Sequence, residues 1–455
     1  MNKINIAYYG DDFTGSTDVL ETLSKAGLKT VLFLDIPTSE LLAQFPDLEG
    51  LGIAGLTRAM TPTQMQAELL PAFEAFKSLS PSHVHYKVCS TFDSSVEIGN
   101  LGVAITCGQK AFGKAIVPIL VAAPHLGRYS AFGNLYARMG AGSMGAIYRL
   151  DRHPSMSKHP STPANESDLR LHLAEQFKGK SGLIDLVDLE GPITEILQKI
   201  DRLTDEGTEV IFFDAMYDHQ LAKIGETMEI LASKSRPLFS LGSSGIEKAL
   251  GNFWVNKEKF KAQEVWKEVS AEETIIVLSG SCSPITGNQI SWALKNGFEE
   301  IIVDPEVLDQ EYTASRIADY AFQMVEAISC GKSVIMHTCK GPDDPRLAQS
   351  KTYPSIESIA SRYGRVLGTA ARIALEQVVV KRMVIAGGDT SGYVAKNLGI
   401  EAVEMISPIY PGAPLCVAYA RNSPANKMQI NLKGGQVGEE SYFELLRKGN
   451  STNTI

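Results

Sequence analysis

Short apolar runs alternate with amphipathic stretches of helical period along almost the whole chain, and no other feature restricts the fold as tightly. Strand-like runs occupy 4–9, 30–34, 52–56, 83–88, 115–121, 183–187, 210–213 and 237–241. Helical periodicity marks 17–26, 62–76, 167–176, 193–204 and 221–231, with a kink or break expected at Pro71. Such alternation means a largely parallel sheet covered by helices on both faces. A Lys- and Glu-rich stretch at 256–273 interrupts the series, offering few branched apolar residues to bury. A second series follows, with strands at 274–278, 300–303, 333–338 and 382–386 and helices around 287–295, 314–328, 355–376 and 391–398. Extended segments at 402–406, 415–418 and 428–432 close it. At 455 residues the chain exceeds one compact core. The expected architecture is α/β: two α/β domains, 1–255 and 274–448, joined by a connector at 256–273 and followed by a disordered tail at 449–455.

Composition excludes several partner classes. A formal net charge of −9 leaves no basic surface to track a nucleic-acid backbone. No apolar run reaches the ~18 residues of a membrane span, and the first residues lack the basic start and long apolar stretch of a secretory signal. A cytoplasmic location, with neither membrane nor nucleic acid as partner, is expected. The six cysteines are scattered without CxxC or zinc-like spacing, as suits reduced thiols, and His153 and His159 are separated by Pro154. No metal site of the protein's own is expected.

The first apolar run stops at Gly10-Asp11-Asp12-Phe13-Thr14-Gly15 and resumes as a helix. Strand-to-helix turns of this kind lie at the carboxyl ends of parallel strands, where open α/β sheets build ligand sites. Two adjacent carboxylates repel unless a cation or substrate hydroxyls compensate them. A helix N-cap at Asp12 or Thr14 needs one acid, so capping explains half the motif.

Three loops of the second half suit phosphate. Gly387, Gly388, Asp389 and Thr390 follow a buried strand and open a helix, whose N-terminal N–H groups bind anions. Ser279, Ser281 and Ser283 end another strand in Ser279-Gly280-Ser281-Cys282-Ser283-Pro284, and Gly435 lies in the glycine-rich stretch after Lys433. Lys433 itself reads equally as a phosphate ligand or a solvated lysine. Gly331-Lys332-Ser333 runs from a helix into a strand, the reverse of a P-loop, and Gly331 reads as a helix C-cap. Gly140-Ala141-Gly142-Ser143-Met144-Gly145 matches the dinucleotide fingerprint, but no clean strand precedes it and no helix follows. It anchors a rival reading, an NAD(P)-dependent oxidoreductase; a sugar-acid sensor that consumes no ATP is a third.

A polar pocket is expected in the first half. Tyr86-Lys87-Val88-Cys89-Ser90-Thr91-Phe92-Asp93-Ser94 opens a strand into both signs of charge and several hydroxyls, the equipment for holding a small carboxylated polyol. Arg58 is a candidate fork for a substrate carboxylate. Pro124 to Tyr129 and the Pro-fixed loop 153–163 add further donors.

With the Gly10–Gly15 motif, the 86–94 segment, Ser279-Gly280-Ser281-Cys282-Ser283 and Gly387-Gly388-Asp389-Thr390-Ser391-Gly392 in this order, the chain resembles the four-carbon acid sugar kinase family over nearly its whole length. The resemblance implies an acid-sugar-binding N-terminal domain, an ATP-binding C-terminal domain, Mg²⁺ accompanying the nucleotide, and phosphoryl transfer to a terminal hydroxyl in an interdomain cleft. Carried over residue by residue, it places Ser281, Gly387 to Thr390 and Gly435 at ATP. Asp11, Asp12, Arg58, Lys87, Ser90, Thr91 and Asp93 would then face the sugar acid. Asp12, then Asp11, is the expected base. Threonate, erythronate, 3-oxo-tetronate and a branched acid such as 3-oxo-isoapionate all fit as substrate, and a homodimer is compatible with the reading.

Overall fold

The computed structural model describes residues 3–139, 145–159, 162–234, 237–353, 355 and 357–449. The chain divides into two compact units, Met1–Thr30 with Ile36–Glu264 and Val31–Asp35 with Val265–Ile455.

The N-terminal unit opens with β1 (Ile6–Gly10) and α1 (Phe13–Lys25). The chain continues through β2 (Thr30–Phe33), α2 (Ser39–Leu42), β3 (Gly50–Ala54), α3 (Pro62–Leu79) and β4 (His83–Lys87). Next come α4 (Leu101–Phe112), β5 (Val117–Leu120) and the short strands β6 (Arg128–Ala131), β7 (Asn134–Arg138) and β8 (Ile147–Arg149). Then follow α5 (Leu169–Ala174), β9 (Lys180–Ile184), α6 (Leu186–Glu190), α7 (Ile193–Asp205), β10 (Thr208–Phe213), α8 (Asp218–Lys234), β11 (Leu238–Gly242) and α9 (Gly245–Asn256). The main sheet has the order β3-β1-β4-β11-β5-β10-β9, parallel throughout. β1, β3, β4 and β11 are buried along their whole lengths, as strands covered on both faces must be. Phe73 of α3, Phe112 of α4 and Phe239 of β11 pack with ring centroids 5.5–5.7 Å apart and fix the helices to the sheet.

Two departures from the sequence reading have local causes. α3 runs on through Pro71, which lies on its exposed face, where water can satisfy the carbonyl that proline leaves without a donor. A strand, β7, does precede the fingerprint at 140–145, but it pairs antiparallel with β6 and β8, and β8 follows it in place of a helix. Residues 140–144 lie outside the described residues, as do Pro160 and Ser161 of the Pro-fixed loop and 450–455 of the expected tail.

The C-terminal unit contains β12 (Ile276–Ser279), α10 (Pro284–Lys295), β13 (Glu299–Ile302), α11 (Gln310–Ser329), β14 (Val334–His337) and α12 (Pro345–Ser350). It continues through α13 (Ile359–Leu375), β15 (Arg382–Ala386), α14 (Gly388–Asn397), β16 (Ala402–Ser407), β17 (Leu415–Tyr419), β18 (Gln429–Lys433) and α15 (Tyr442–Lys448). β13-β14-β12-β15-β18 are parallel. β17, β16 and then β2 extend this sheet antiparallel, with Phe33 opposite Ala402 and Val31 opposite Glu404. The unit thus takes its last strand from the start of the chain. Gly331 follows α11 at φ 71, as a C-terminal cap should. Among the described residues no helix is long and apolar enough to cross a membrane.

Candidate active site

In the N-terminal unit the carboxyl ends of β3, β1, β4 and β11 come level, with Gly10 opposite both Ala54 and Lys87, and Lys87 opposite Gly242. The chain leaving β1 is pinned there: the Asp11 N–H donates to the Lys87 carbonyl (2.9 Å) and the Arg58 N–H to the Asp11 carbonyl (3.0 Å). Asp12 caps α1, its Oδ1 accepting from the Gly15 N–H at 2.9 Å, while its Oδ2 accepts from Thr14 Oγ1 at 2.9 Å.

The cation that two adjacent acids require is Arg58. Its Nε and Nη2 donate to Asp11 Oδ2 (3.0 Å) and Oδ1 (2.7 Å), and its Nη1 donates to Asp12 Oδ2 (3.0 Å). The Arg58 fork, expected to face a substrate carboxylate, therefore closes on the protein's own acids. Asp11 and Asp12 are 2% and 6% exposed, so their environments, not solvent, set their protonation. Burial pushes both carboxyls up. For Asp12 the opposing pull of Arg58 and Lys87, with the Thr14 and Gly15 donors, wins and holds it below the ordinary aspartate value. For Asp11 burial wins over Arg58, with the Asp12 charge adding to it, and its carboxyl is held above that value. One position thus holds a firmly ionised carboxylate beside a neighbour that binds a proton more readily.

Lys87, at the end of β4, is 3% exposed, and its Nζ donates to the Val88 carbonyl at 3.0 Å. It converges with Asp12 on Gly15: a Cβ there would lie 2.3 Å from Asp12 Oδ1 and 3.0 Å from Lys87 Nζ. A hydrogen is all that fits between carboxylate and ammonium. The following loop is shaped by Phe92, held at φ 57 with its ring against His172 and Phe212. Thr91 Oγ1 bonds Cys89 Sγ at 2.9 Å, and Ser94 Oγ bonds His172 Nε2 at 2.8 Å. Among the described residues, Ser90 and Asp93 are half-buried and their side chains enter no hydrogen bond or ion pair, which leaves them the loop's available polar groups.

Arg128, at the start of β6, was legible only as one donor in a donor-rich stretch. Its guanidinium is within electrostatic reach of Cys89 and Asp93, and its Nε is buried without a partner. Among the described residues it pairs with no carboxylate. The antiparallel β6–β7–β8 sheet that positions it carries no helical spacing, so no local pattern groups it with the 86–94 loop.

In the C-terminal unit the three expected loops leave β12, β15 and β18, adjacent strands of the parallel sheet. Ser283 caps α10, its Oγ accepting from the Ile285 N–H at 3.2 Å, and Ser281 Oγ accepts from the Ser283 N–H at 3.3 Å. α14 starts at Gly388 with no side-chain cap hydrogen bond, and uncapped first-turn N–H groups are what a helix offers to an anion. The loops touch through glycines. A Cβ on Gly280 would lie 2.4 Å from the Thr390 side chain, and one on Gly435 would lie 2.7 Å from Ser281 Oγ. Gly387 donates its N–H to the Lys433 carbonyl at 3.0 Å, while the Asp389 side chain lies outside the described residues. Lys433 is no solvated lysine: it is fully buried, its Nζ 3.1 Å from Thr286 Oγ1, and burial pushes its ammonium down to about 7. Ser279, also buried, holds the turn, its Oγ accepting from the Ser281 N–H at 3.4 Å.

Comparison with known proteins adds a third kind of observation. Residues 6–250 match the sugar-binding N-terminal domain and residues 276–443 the nucleotide-binding C-terminal domain. A 3-oxo-isoapionate kinase of Paraburkholderia graminis is 39% identical over 450 residues, 98% of this chain and 94% of that one. A 3-oxo-tetronate kinase of Pseudomonas savastanoi is 27% identical over 440 residues, covering 95% and 94%. A crystal structure from Salmonella typhimurium described as a tRNA synthase superimposes with TM-score 0.77 at 25% identity, covering 99% of this chain and 100% of that one. A Haemophilus influenzae protein from a family of unknown function follows at 0.72 and 23%, covering 96% and 98%. The two structures establish the fold, and the named kinases support the kinase reading, not the oxidoreductase one. The chain belongs to the four-carbon acid sugar kinase family and is a sugar-acid kinase that uses ATP.

Proposed function

We propose that the enzyme transfers the γ-phosphoryl group of ATP to a primary hydroxyl of a branched 3-oxo sugar acid of the 3-oxo-isoapionate type. The observation that carries the substrate is the 39% identity to a 3-oxo-isoapionate kinase against 27% to a 3-oxo-tetronate kinase. Four-carbon acids such as 3-oxo-tetronate are the second reading. Phosphoryl transfer asks for positioning, charge neutralisation and a base near the attacking hydroxyl. Asp12 is that base: it is ionised at neutral pH, and its Oδ1 accepts one hydrogen bond from the protein, leaving room for a substrate hydroxyl. Asp11 and Arg58 hold Asp12 in place, and Ser90, Thr91 and Asp93 orient the polyol. Lys87 and Arg128 supply positive charge for the substrate carboxylate.

On the nucleotide side, first-turn N–H groups of α14, with Gly387, Gly388, Asp389 and Thr390, and the Ser279, Ser281, Ser283 and Gly435 loops hold the phosphates. Mg²⁺ bound with the nucleotide supplies charge neutralisation, and the hydroxyl oxygens of Ser281 and Thr390 are the hard donors it prefers. Lys433, buried and in no ion pair among the described residues, gains a counter-charge when phosphate binds.

Two experiments test this reading. In an ATP-consumption screen over 3-oxo-isoapionate, 3-oxo-tetronate, threonate and erythronate, the highest kcat/KM is expected on the branched acid; a higher value on 3-oxo-tetronate would overturn the substrate. Gly280→Val drives a branched side chain into Thr390, and calorimetric titration should show ATP affinity lost while the sugar acid still binds.

A further inference from the structure

The loop that carries Ser281 also carries Cys282, and a second thiol stands against it. β12 and β14 are parallel neighbours with Ser279 opposite His337, so the chain leaves both strands side by side, and the Thr338 N–H donates to the Ser279 carbonyl at 3.0 Å. Cys282 comes three residues after that register pair and Cys339 two residues after it. Cys339 Sγ lies 3.4 Å from the Ser281 carbonyl, the peptide that leads into Cys282. Their surroundings differ. Cys282 is exposed and Cys339 fully buried.

We propose that Cys282 and Cys339 form a redox modification site that a low-molecular-weight disulfide converts to an intramolecular disulfide, tying the Ser279–Ser283 loop to the loop after β14. Geometry comes first: the Cys339 sulfur stands against the peptide that leads into Cys282, on loops anchored to neighbouring strands, so the two thiols can meet with little rearrangement of the sheet. Chemistry agrees. The Cys282 contact, the Gly341 N–H and the Thr338 hydroxyl together bring the Cys339 thiol down to about 7 despite its burial, while Cys339 and burial push the Cys282 thiol up. The more acidic thiol is thus Cys339, and the accessible one is Cys282.

The Cys282 sulfur attacks one sulfur of the small disulfide, passing its proton to Cys339, and the other half leaves as a thiolate. The Cys339 sulfur then attacks Cys282 Sγ, the mixed S–S bond breaks, and the second half leaves as a thiol with the Cys339 proton. Two protein sulfurs are oxidised by two electrons and one small disulfide is reduced to two thiols. The bond would pull on Ser281 and on the α10 cap at Ser283. Its effect on ATP rests on the nucleotide role proposed above for that loop; its formation does not.

The test is to incubate the purified full-length protein with oxidised glutathione, count free thiols and map disulfides by peptide mass spectrometry. The expected result is the loss of two of the six thiols, a single Cys282–Cys339 cross-link, and reversal by dithiothreitol. Recovery of both cysteines as alkylatable thiols, or cross-links elsewhere, would overturn the site. Cys339→Ser should stop at a glutathione adduct on Cys282, which separates the proposed order of steps from direct attack on Cys339. ATP titration of the oxidised protein reads the second layer: unchanged affinity with the cross-link present overturns the nucleotide role of the loop and leaves the modification site standing.

Discussion

Asp12→Asn should lower kcat by roughly 10²–10⁴-fold, the range a positioned general base contributes, while ATP binds as it does to the wild type. The substitution is mild structurally: the amide oxygen can still accept from the Gly15 N–H, and the loops proposed to hold ATP belong to the other unit. What it removes is the negative charge facing Lys87 and the capacity to take a proton. A pH profile separates the two acids. Asp12 is held below the ordinary 3.8 and Asp11 above it, so an Asp12 base gives an acid limb of kcat/KM below 3.8 and an Asp11 base gives one above. Turnover of Asp12→Asn at the wild-type rate would remove Asp12 from the mechanism.

Arg58→Ala is expected to have the largest effect on stability. It leaves two adjacent buried carboxylates without the guanidinium that binds three of their four oxygens, and breaking a buried pair from one side costs about 3–5 kcal/mol. Urea denaturation should show the loss at neutral pH. The gap from wild type should narrow in acid: the folded-state value of Asp12 is depressed, so its contribution is present above 3.8 and lost as pH falls below it. Arg58→Lys restores the charge but not the fork and should recover only part of the loss. A variant as stable as wild type would mean that the acids find another partner.

The parallel architecture was legible because strands covered on both faces are apolar throughout, and the alternation of β1, α1, β3 and α3 is written in local pattern. The Asp11-Asp12 pair was legible for the same reason: a cap needs one acid and the sequence carries two. Its partner was harder to find. Arg58 lies 47 residues from Asp11, and only the register of β1 with β3 brings them together. Lys433 carried a signal that was easy to miss, since the strand read at 428–432 runs one residue further and takes the lysine into the sheet. α4 and α9 escaped because their buried faces include Gly102, Gly108, Gly245 and Gly251, which blur the contrast that marks a helix.

The pairing of β2 with β16 bears on how the chain is made. Val31–Phe33 emerges from the ribosome early, while Ala402–Glu404 emerges when synthesis is nearly over. Until then one edge of β2 stays open, and an open edge strand invites pairing with other chains. The C-terminal unit cannot complete its sheet from its own sequence. Expressed separately, residues 265–455 should be prone to association through β16, and a synthetic 31–35 peptide should suppress it. The last strand to find its place is among the first to be translated.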